Sequence, residues 1–228
     1  MTGIIIQARM GSQRFPGKMM ALLNSIPIIE WVMRRSMKAR LTDTVILATS
    51  INRENDVLER KARELGVSVF RGSEDDVLER FAMAARAYGL QTVVRVCADN
   101  PLICPDELDN LITYFMENRP DYAFNVVSKF DNLYPDGLGG EIVSNGTLQA
   151  LHEKVTLQEE REHIFNYIWN HSETYSIGTF KATPAIAYPD IKLDVNTEDD
   201  LKYLDSIPFD MGDGAEEIIR KVIHGRTV

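Results

Sequence analysis

Short runs of β-branched and apolar residues alternate with amphipathic segments through the first half of this chain, and that alternation limits the fold more than any other feature. Residues 3–8, with three consecutive isoleucines, read as a buried strand. Residues 27–40 follow with Ile28, Ile29, Val32, Met33 and Met37 at helical spacing, and Pro27 stands where a first helical turn tolerates it. Strands are then expected at 45–48, 67–70, 92–97 and 122–127. Between them lies a helix at 54–65, with Val57, Leu58, Ala62 and Leu65 on one face and Gly66 as its stop. Ser73 with Asp76 resembles a capping box that opens a helix running through Phe81 to Tyr88, ended by Gly89. Pro105 opens another, through Leu108, Leu111, Ile112 and Phe115.

Alternation of this kind requires crossover connections, so the expected fold is three-layer α/β: a mainly parallel sheet with helices on both faces. Ligands of such sheets bind beyond the carboxyl ends of the strands. The irregular segments 9–18, 71–76 and 98–104 each follow a strand and should converge on one mouth.

The second half is less regular. It contains a Pro- and Gly-rich loop at 133–140, helices at 144–155 and 157–171, a strand at 174–180 and an extended segment at 188–195. Thr197 caps a helix with Asp200 three residues on, and a last amphipathic helix runs over 214–225. The reading is one domain over 1–228 with an inserted arm near 130–180. A chain of 228 residues buries about 70% of its unfolded surface, enough for a core without disulfide or structural metal. The two cysteines, Cys97 and Cys104, have neither redox-pair nor zinc-site spacing and suit a reducing cytoplasm. The first residues lack a basic leader, and no apolar run reaches the ~18 residues of a membrane helix, so a soluble cytoplasmic protein is expected. A net charge of −9 argues against a dedicated nucleic-acid binder, yet leaves room for a local basic cluster that takes a small anion.

Such a cluster follows the first strand. In Gln7-Ala-Arg-Met-Gly-Ser-Gln-Arg-Phe-Pro-Gly-Lys18, Arg9, Arg14 and Lys18 share a loop with Gly11 and Gly17, where backbone amides can converge on one point. Ser12 adds a hydroxyl donor, arginine a planar fork for phosphate oxygens, and lysine a point charge. A Walker loop would need Ser or Thr after Lys18, where Met19 stands.

This segment resembles the signature of the cytidylyltransferases that make CMP-activated sugars, and most closely that of the SpsF-like spore-coat polysaccharide branch. More distant likeness is to the acylneuraminate and 3-deoxy-manno-octulosonate cytidylyltransferases. Ala48-Thr-Ser50, Arg71-Gly-Ser-Glu-Asp-Asp-Val-Leu-Glu-Arg80, Ala98-Asp-Asn-Pro-Leu102, Tyr134-Pro-Asp-Gly-Leu138, Arg161-Glu-His163 and Leu193-Asp-Val-Asn-Thr-Glu-Asp-Asp-Leu201 follow in the family's order. The resemblance implies a nucleotide-diphospho-sugar transferase fold and transfer of CMP from CTP to a sugar, acidic or destined for a surface polysaccharide, with release of pyrophosphate. It also implies Mg²⁺, small-molecule nucleotide and sugar substrates with no nucleic acid or membrane partner, and a homodimer.

Residue by residue, the resemblance implies catalytic roles for Arg9, Lys18 and Asp99. It places Gln7, Ala8, Gly11, Ser12, Arg14, Arg71, Gly72, Ser73 and Arg80 on the nucleotide, and Asp136, Glu141, Arg161 and His163 on the acceptor side. Asp99 and Asp194 are the implied metal ligands. Asn196 shares a face with Asp194 in an extended segment but carries no charge, where many relatives have an acid. Gly139 likewise stands where an acid is frequent in the SpsF-like branch. Ser73 and the acids after it also suit an ordinary helix start, and both roles can hold together. Two alternatives stay open: a glycosyltransferase of the same fold that consumes a nucleotide sugar, and a non-catalytic nucleotide-binding subunit.

Overall fold

The computed structural model describes residues 1–225 of the chain. In chain order its strands are β1 (Thr2–Gln7), β2 (Leu22–Leu23), β3 (Ile26–Pro27), β4 (Thr44–Ser50), β5 (Ser68–Gly72), β6 (Thr92–Cys97), β7 (Tyr122–Phe124), β8 (Glu141–Ser144) and β9 (Ile177–Gly178). Its α-helices are α1 (Ile28–Ser36), α2 (Asp56–Glu64), α3 (Val77–Ala87), α4 (Pro105–Asn118), α5 (Asn145–Lys154), α6 (Gln158–Glu162), α7 (Asn166–Asn170), α8 (Glu198–Asp205) and α9 (Ala215–Gly225).

Among the described residues, seven strands form one sheet in the order β5-β4-β1-β6-β8-β7-β9, while β2 and β3 make a separate hairpin. β1 pairs in parallel with β4 on one side and β6 on the other. β8 runs antiparallel to both β6 and β7, so it alone among the described strands of this sheet is reversed. The mainly parallel three-layer arrangement expected from the alternation is the one observed.

Period-two geometry sorts the isoleucines of β1. Ile4 and Ile6 join the core on one face with Val94 and Val96 of β6, α1, α2, α4, α8 and α9. Ile5 joins the other with Val93, the α3 residues Leu78 and Phe81, α5 and α7. Helix α1 is tied down by Arg35, only 1% exposed, which donates to the carbonyls of Ile103 (2.6 Å), Met211 (3.2 Å) and Asp213 (2.9 Å). Thr197 and Asp200 form the expected capping box on α8.

Several boundaries differ from expectation. The helix expected over 157–171 breaks into α6 and α7 around residues 163–165, where Ile164 and Phe165 turn inward and are buried. Helix α3 begins later than Ser73: the Asp76 side chain accepts from Glu79 N–H and caps it, while Ser73 Oγ accepts from Asp76 N–H and shapes the preceding turn. The strand expected over 174–180 is reduced to Ile177–Gly178. Residues 53–55, at the edge of the helix expected from 54, form a 3-10 turn before α2.

Gly139 sits where a Cβ would lie 2.1 Å from Asn125 Oδ1 and 2.3 Å from its carbonyl oxygen. Asn125 is fully buried and holds Gly140 N–H (2.9 Å) and the Glu107 carbonyl (2.9 Å), so it cannot retreat. The glycine here answers to packing. Gly139→Ala should therefore cost about 1–3 kcal/mol, the usual range for overpacking a filled core. A urea melt that shows no loss would mean that the 125–140 loop yields freely.

Candidate active site

Because β4, β1 and β6 run the same way, their carboxyl ends share one edge of the sheet. β8 starts at that edge, with Glu141 opposite Arg95 in register. The ends of β1 and β6 and the loops that leave them line a cavity of about 680 Å³, closed on another side by Val77 of α3 and by Glu162 and His163. Gln7, Ala8, Arg9, Gly11, Ser12, Arg14, Lys18 and Asp99 all line it, together with His163 from beyond α6. The structure thus gathers most of the nucleotide-side residues named from sequence into one place.

The cationic side chains of this cavity already have partners within the protein. Lys18, with a side chain 9% exposed, donates to Asp99 Oδ2 at 3.3 Å and to the Val195 carbonyl at 2.8 Å. Arg9 reaches Glu162 Oε1 at 3.1 Å and Glu74 Oε1 at 3.5 Å. Arg14 donates to Asn196 Oδ1 at 3.0 Å. The other side of the Asn196 carboxamide donates to Asp194, so this residue bridges a cation and an acid. Asp194 is half-buried, and burial followed by the charge of Asp99 pushes its carboxyl above the usual range. Asp136 is pushed up to about 6, by burial first and then by Asp194, with Asp99 adding to the effect and Lys192 opposing it. Asp136 thus feels the charges of Asp194 and Asp99, and Asp194 that of Asp99, beside a lysine already spent on Asp99.

That surplus of carboxylate oxygen is the donor chemistry a hard divalent cation takes. Among the described residues no group of three or more His, Cys, Asp or Glu side chains is placed to hold a metal by itself. Mg²⁺ commonly uses only one or two carboxylates and completes its shell with phosphate and water. Asp99 and Asp194 fit that pattern.

Other residues named from sequence lie elsewhere. Arg71 turns away from the cavity to Asp56 (2.6 Å), Glu59 (2.7 Å) and the carbonyls of Ser50 and Asn52. Arg161 is a brace: it donates to Asp76 Oδ2 (2.7 Å) and to the carbonyls of His152 (3.1 Å) and Val155 (2.5 Å), tying the start of α3 to the end of α5. Its neighbour His163 is the member of that triplet that faces the cavity together with Glu162. Arg80 is 1% exposed beneath Gly72, whose missing Cβ would crowd Arg80 Cγ at 3.2 Å. Its Nη1 donates to the Ser73 carbonyl (2.5 Å), whereas Nε and Nη2 have no partner among the described residues. Burial lowers this guanidinium to about 10.

Sequence reasoning passed over Arg95. On β6 it lines the cavity, donates to Gln7 Oε1 at 2.9 Å and pairs with Glu141, whose other oxygen accepts from Tyr122 at 2.6 Å. A lone charge inside the apolar run Val93-Val-Arg-Val96 was the available signal, because a buried charge needs a partner. Cys97 also lines the cavity, and burial pushes its thiol up to about 12, far from a reactive thiolate.

Comparison with known proteins follows the same geometry. The cytidylyltransferase family profile matches residues 3–198. The spore coat polysaccharide biosynthesis protein SpsF of Bacillus subtilis is 30% identical over 208 residues, 89% of this chain and 84% of that one. The 3-deoxy-manno-octulosonate cytidylyltransferase of Geobacter sulfurreducens is 35% identical over 116 residues, 50% of this chain and 45% of that one. A cytidylyltransferase structure from Leptospira borgpetersenii superimposes with a TM-score of 0.90 at 28% identity, covering 99% of this chain and 95% of that one.

The burial of Asp136, with the acids beside it, has a measurable consequence. A carboxyl whose folded value lies above its unfolded one favours the fold when protonated, and that contribution is lost as pH rises through the folded value. For Asp136 the window runs from its ordinary 3.8 to about 6. In Mg²⁺-free buffer Asp136→Asn should stabilise the protein at pH 8 by about 1–2 kcal/mol, discounted for partial solvent access, and by little at pH 4. Equal melting temperatures of the two proteins at pH 8 would show that neither burial nor the neighbouring acids burden the Asp136 carboxylate.

Proposed function

The chain belongs to the cytidylyltransferase family, and from that premise we propose that it transfers CMP from CTP to a sugar hydroxyl and releases pyrophosphate. The observation that carries this reading is the placement of Arg9, Arg14 and Lys18 on a loop beyond a buried strand, with Asp99 on the same cavity. A triphosphate brings about four negative charges, and phosphoryl-transfer catalysis is mostly positioning and charge neutralisation. Arg9 and Lys18 exchange their present carboxylate partners for phosphate oxygens, while Arg14, Ser12 and the backbone around Gly11 complete the grip. Lys18 drawn to the phosphates would leave Asp99 free, and Asp99 with Asp194 would then hold Mg²⁺. The cation's contribution is to neutralise the triphosphate and make the α-phosphorus a better electrophile.

The base and ribose fall to Gln7 and Ala8, with Gly72 and Ser73 backed by the buried Arg80 that donates to the Ser73 carbonyl, and the acceptor to Asp136, Glu141 and His163. Support for a sugar acceptor comes from the relatives, one named for spore coat polysaccharide biosynthesis and one for 3-deoxy-manno-octulosonate. We assign the acceptor to the acidic or surface-polysaccharide sugars. Residues 1–228 act as one domain in this reading, with 130–180 as the arm through which a homodimer forms. Phe130, 64% exposed and stacked on Trp169 at 5.8 Å, supports that surface. Both cysteines are free, and no described helix is long and apolar enough to cross a membrane, which fits action in the cytoplasm.

Pyrophosphate release from CTP, ATP, GTP and UTP, with Mg²⁺ and a panel of neutral and acidic sugars, tests the reading. Release is expected with CTP and at least one sugar, and its absence across the panel would reject the proposal. Lys18→Ala and Arg9→Ala each remove a charge-assisted contact of about 1.5–3 kcal/mol, so activity should fall by tens- to hundreds-fold with the fold intact. A wild-type rate in either variant would move the phosphate site elsewhere.

A further inference from the structure

We propose that Asn55 is a positioning residue for the triphosphate grip, acting through the Met10 amide and Glu74 without touching the cavity. The inference rests on CTP as substrate. Asn55 ends the 3-10 turn that follows β4 and is fully buried. Its Oδ1 accepts from the backbone N–H of Met10 at 2.8 Å, across 45 residues of sequence. Its Nδ2 donates to Ser50 Oγ at 2.7 Å and, more weakly, to Glu74 Oε2 at 3.5 Å. One carboxamide therefore joins the basic loop, the end of β4 and the segment before α3.

Met10 follows Arg9 directly. Holding the Met10 N–H inward fixes the peptide plane between them, and with it the direction in which Arg9 leaves the main chain. Asn55 reaches Arg9 by a second route as well, because Glu74, which accepts from Asn55 and from Asn52 Nδ2 (3.3 Å), is also an Arg9 partner. The support continues at the next residue: a Cβ on Gly11 would lie 3.2 Å from Glu54 Oε1, so the turn that carries Asn55 also bounds the loop. An amide suits this place because it accepts and donates at once, where a carboxylate would set a second anion beside Glu74. Leucine, of similar size, would leave the partly buried Met10 N–H without the Asn55 acceptor.

A merely structural role would lower thermal stability alone. A positioning role makes the effect of Asn55 depend on Arg9, and a double-mutant cycle reads that dependence. CTP binding in Mg²⁺ is measured by calorimetry for the wild type, Asn55→Leu, Arg9→Ala and the double variant. Asn55→Leu is expected to weaken CTP by ~10-fold or more in the wild-type background and by less than about 2-fold once Arg9 is gone. Equal losses in both backgrounds, or unchanged CTP affinity with only a lower melting temperature, would overturn the inference. Should Asn55→Leu fail to fold, Ser50→Ala, which removes the acceptor of Asn55 Nδ2, is carried through the same cycle and judged by the same outcomes. Failure of the unaltered chain to bind CTP would overturn the proposed function and this inference with it. Binding that persists with an additive cycle overturns the inference alone.

Discussion

The parallel pairing of β1 with β6 is the constraint on which the site depends. It sets Gln7 beside Cys97 in register, so the loop bearing Arg9, Arg14 and Lys18 and the loop bearing Asp99 leave the sheet side by side. Burial makes that register hard to slip: Ile4, Ile5 and Ile6 are fully enclosed, and a one-residue shift would exchange the faces of all three. Two segments some ninety residues apart in sequence thereby deliver cations and an acid to one cavity, held by backbone hydrogen bonds and apolar packing.

Within the cavity the protein balances its own charge. Lys18 rests on Asp99, Arg9 on Glu162 and Glu74, and Arg14 on Asn196, which in turn donates to Asp194. A phosphate ligand gains from taking over the cations, and the acids it releases gain from taking a metal ion. Either event alone leaves charges unpaired in a partly enclosed space, which is costly. Under the proposed function, the arrangement favours a nucleotide and a divalent cation that arrive together. Asp136 and Asp194 already carry that cost in the ligand-free protein: burial pushes both carboxyls up, and after it the charge of Asp194 acts on Asp136 and that of Asp99 on Asp194.

The architecture was legible because its signals are local and periodic. The isoleucines of β1, the helical spacing on α1 and the Thr197 cap need no knowledge of the rest of the chain. The basic loop was legible for a related reason, since charges that follow a buried strand must lie at its end. Arg71 and Arg161 were placed by resemblance, and the structure spends both on ion pairs and carbonyls that depend on distant segments. Arg95 was hidden inside a strand pattern, and its partners Gln7 and Glu141 lie 88 and 46 residues away. Asn55 gave no signal, because a buried carboxamide that supports a loop looks like any turn residue until the fold brings Met10 to it.

The central claim is that the loop over residues 9–18 holds the triphosphate while Asp99 holds the metal. A crystal structure with CTP and Mn²⁺, the manganese located by its anomalous signal, tests it most directly. The account predicts β- and γ-phosphate oxygens within hydrogen-bond reach of Lys18 Nζ and Arg9, and manganese in contact with the Asp99 carboxylate. A nucleotide bound elsewhere, with Lys18 still on Asp99 and the Val195 carbonyl, would contradict it.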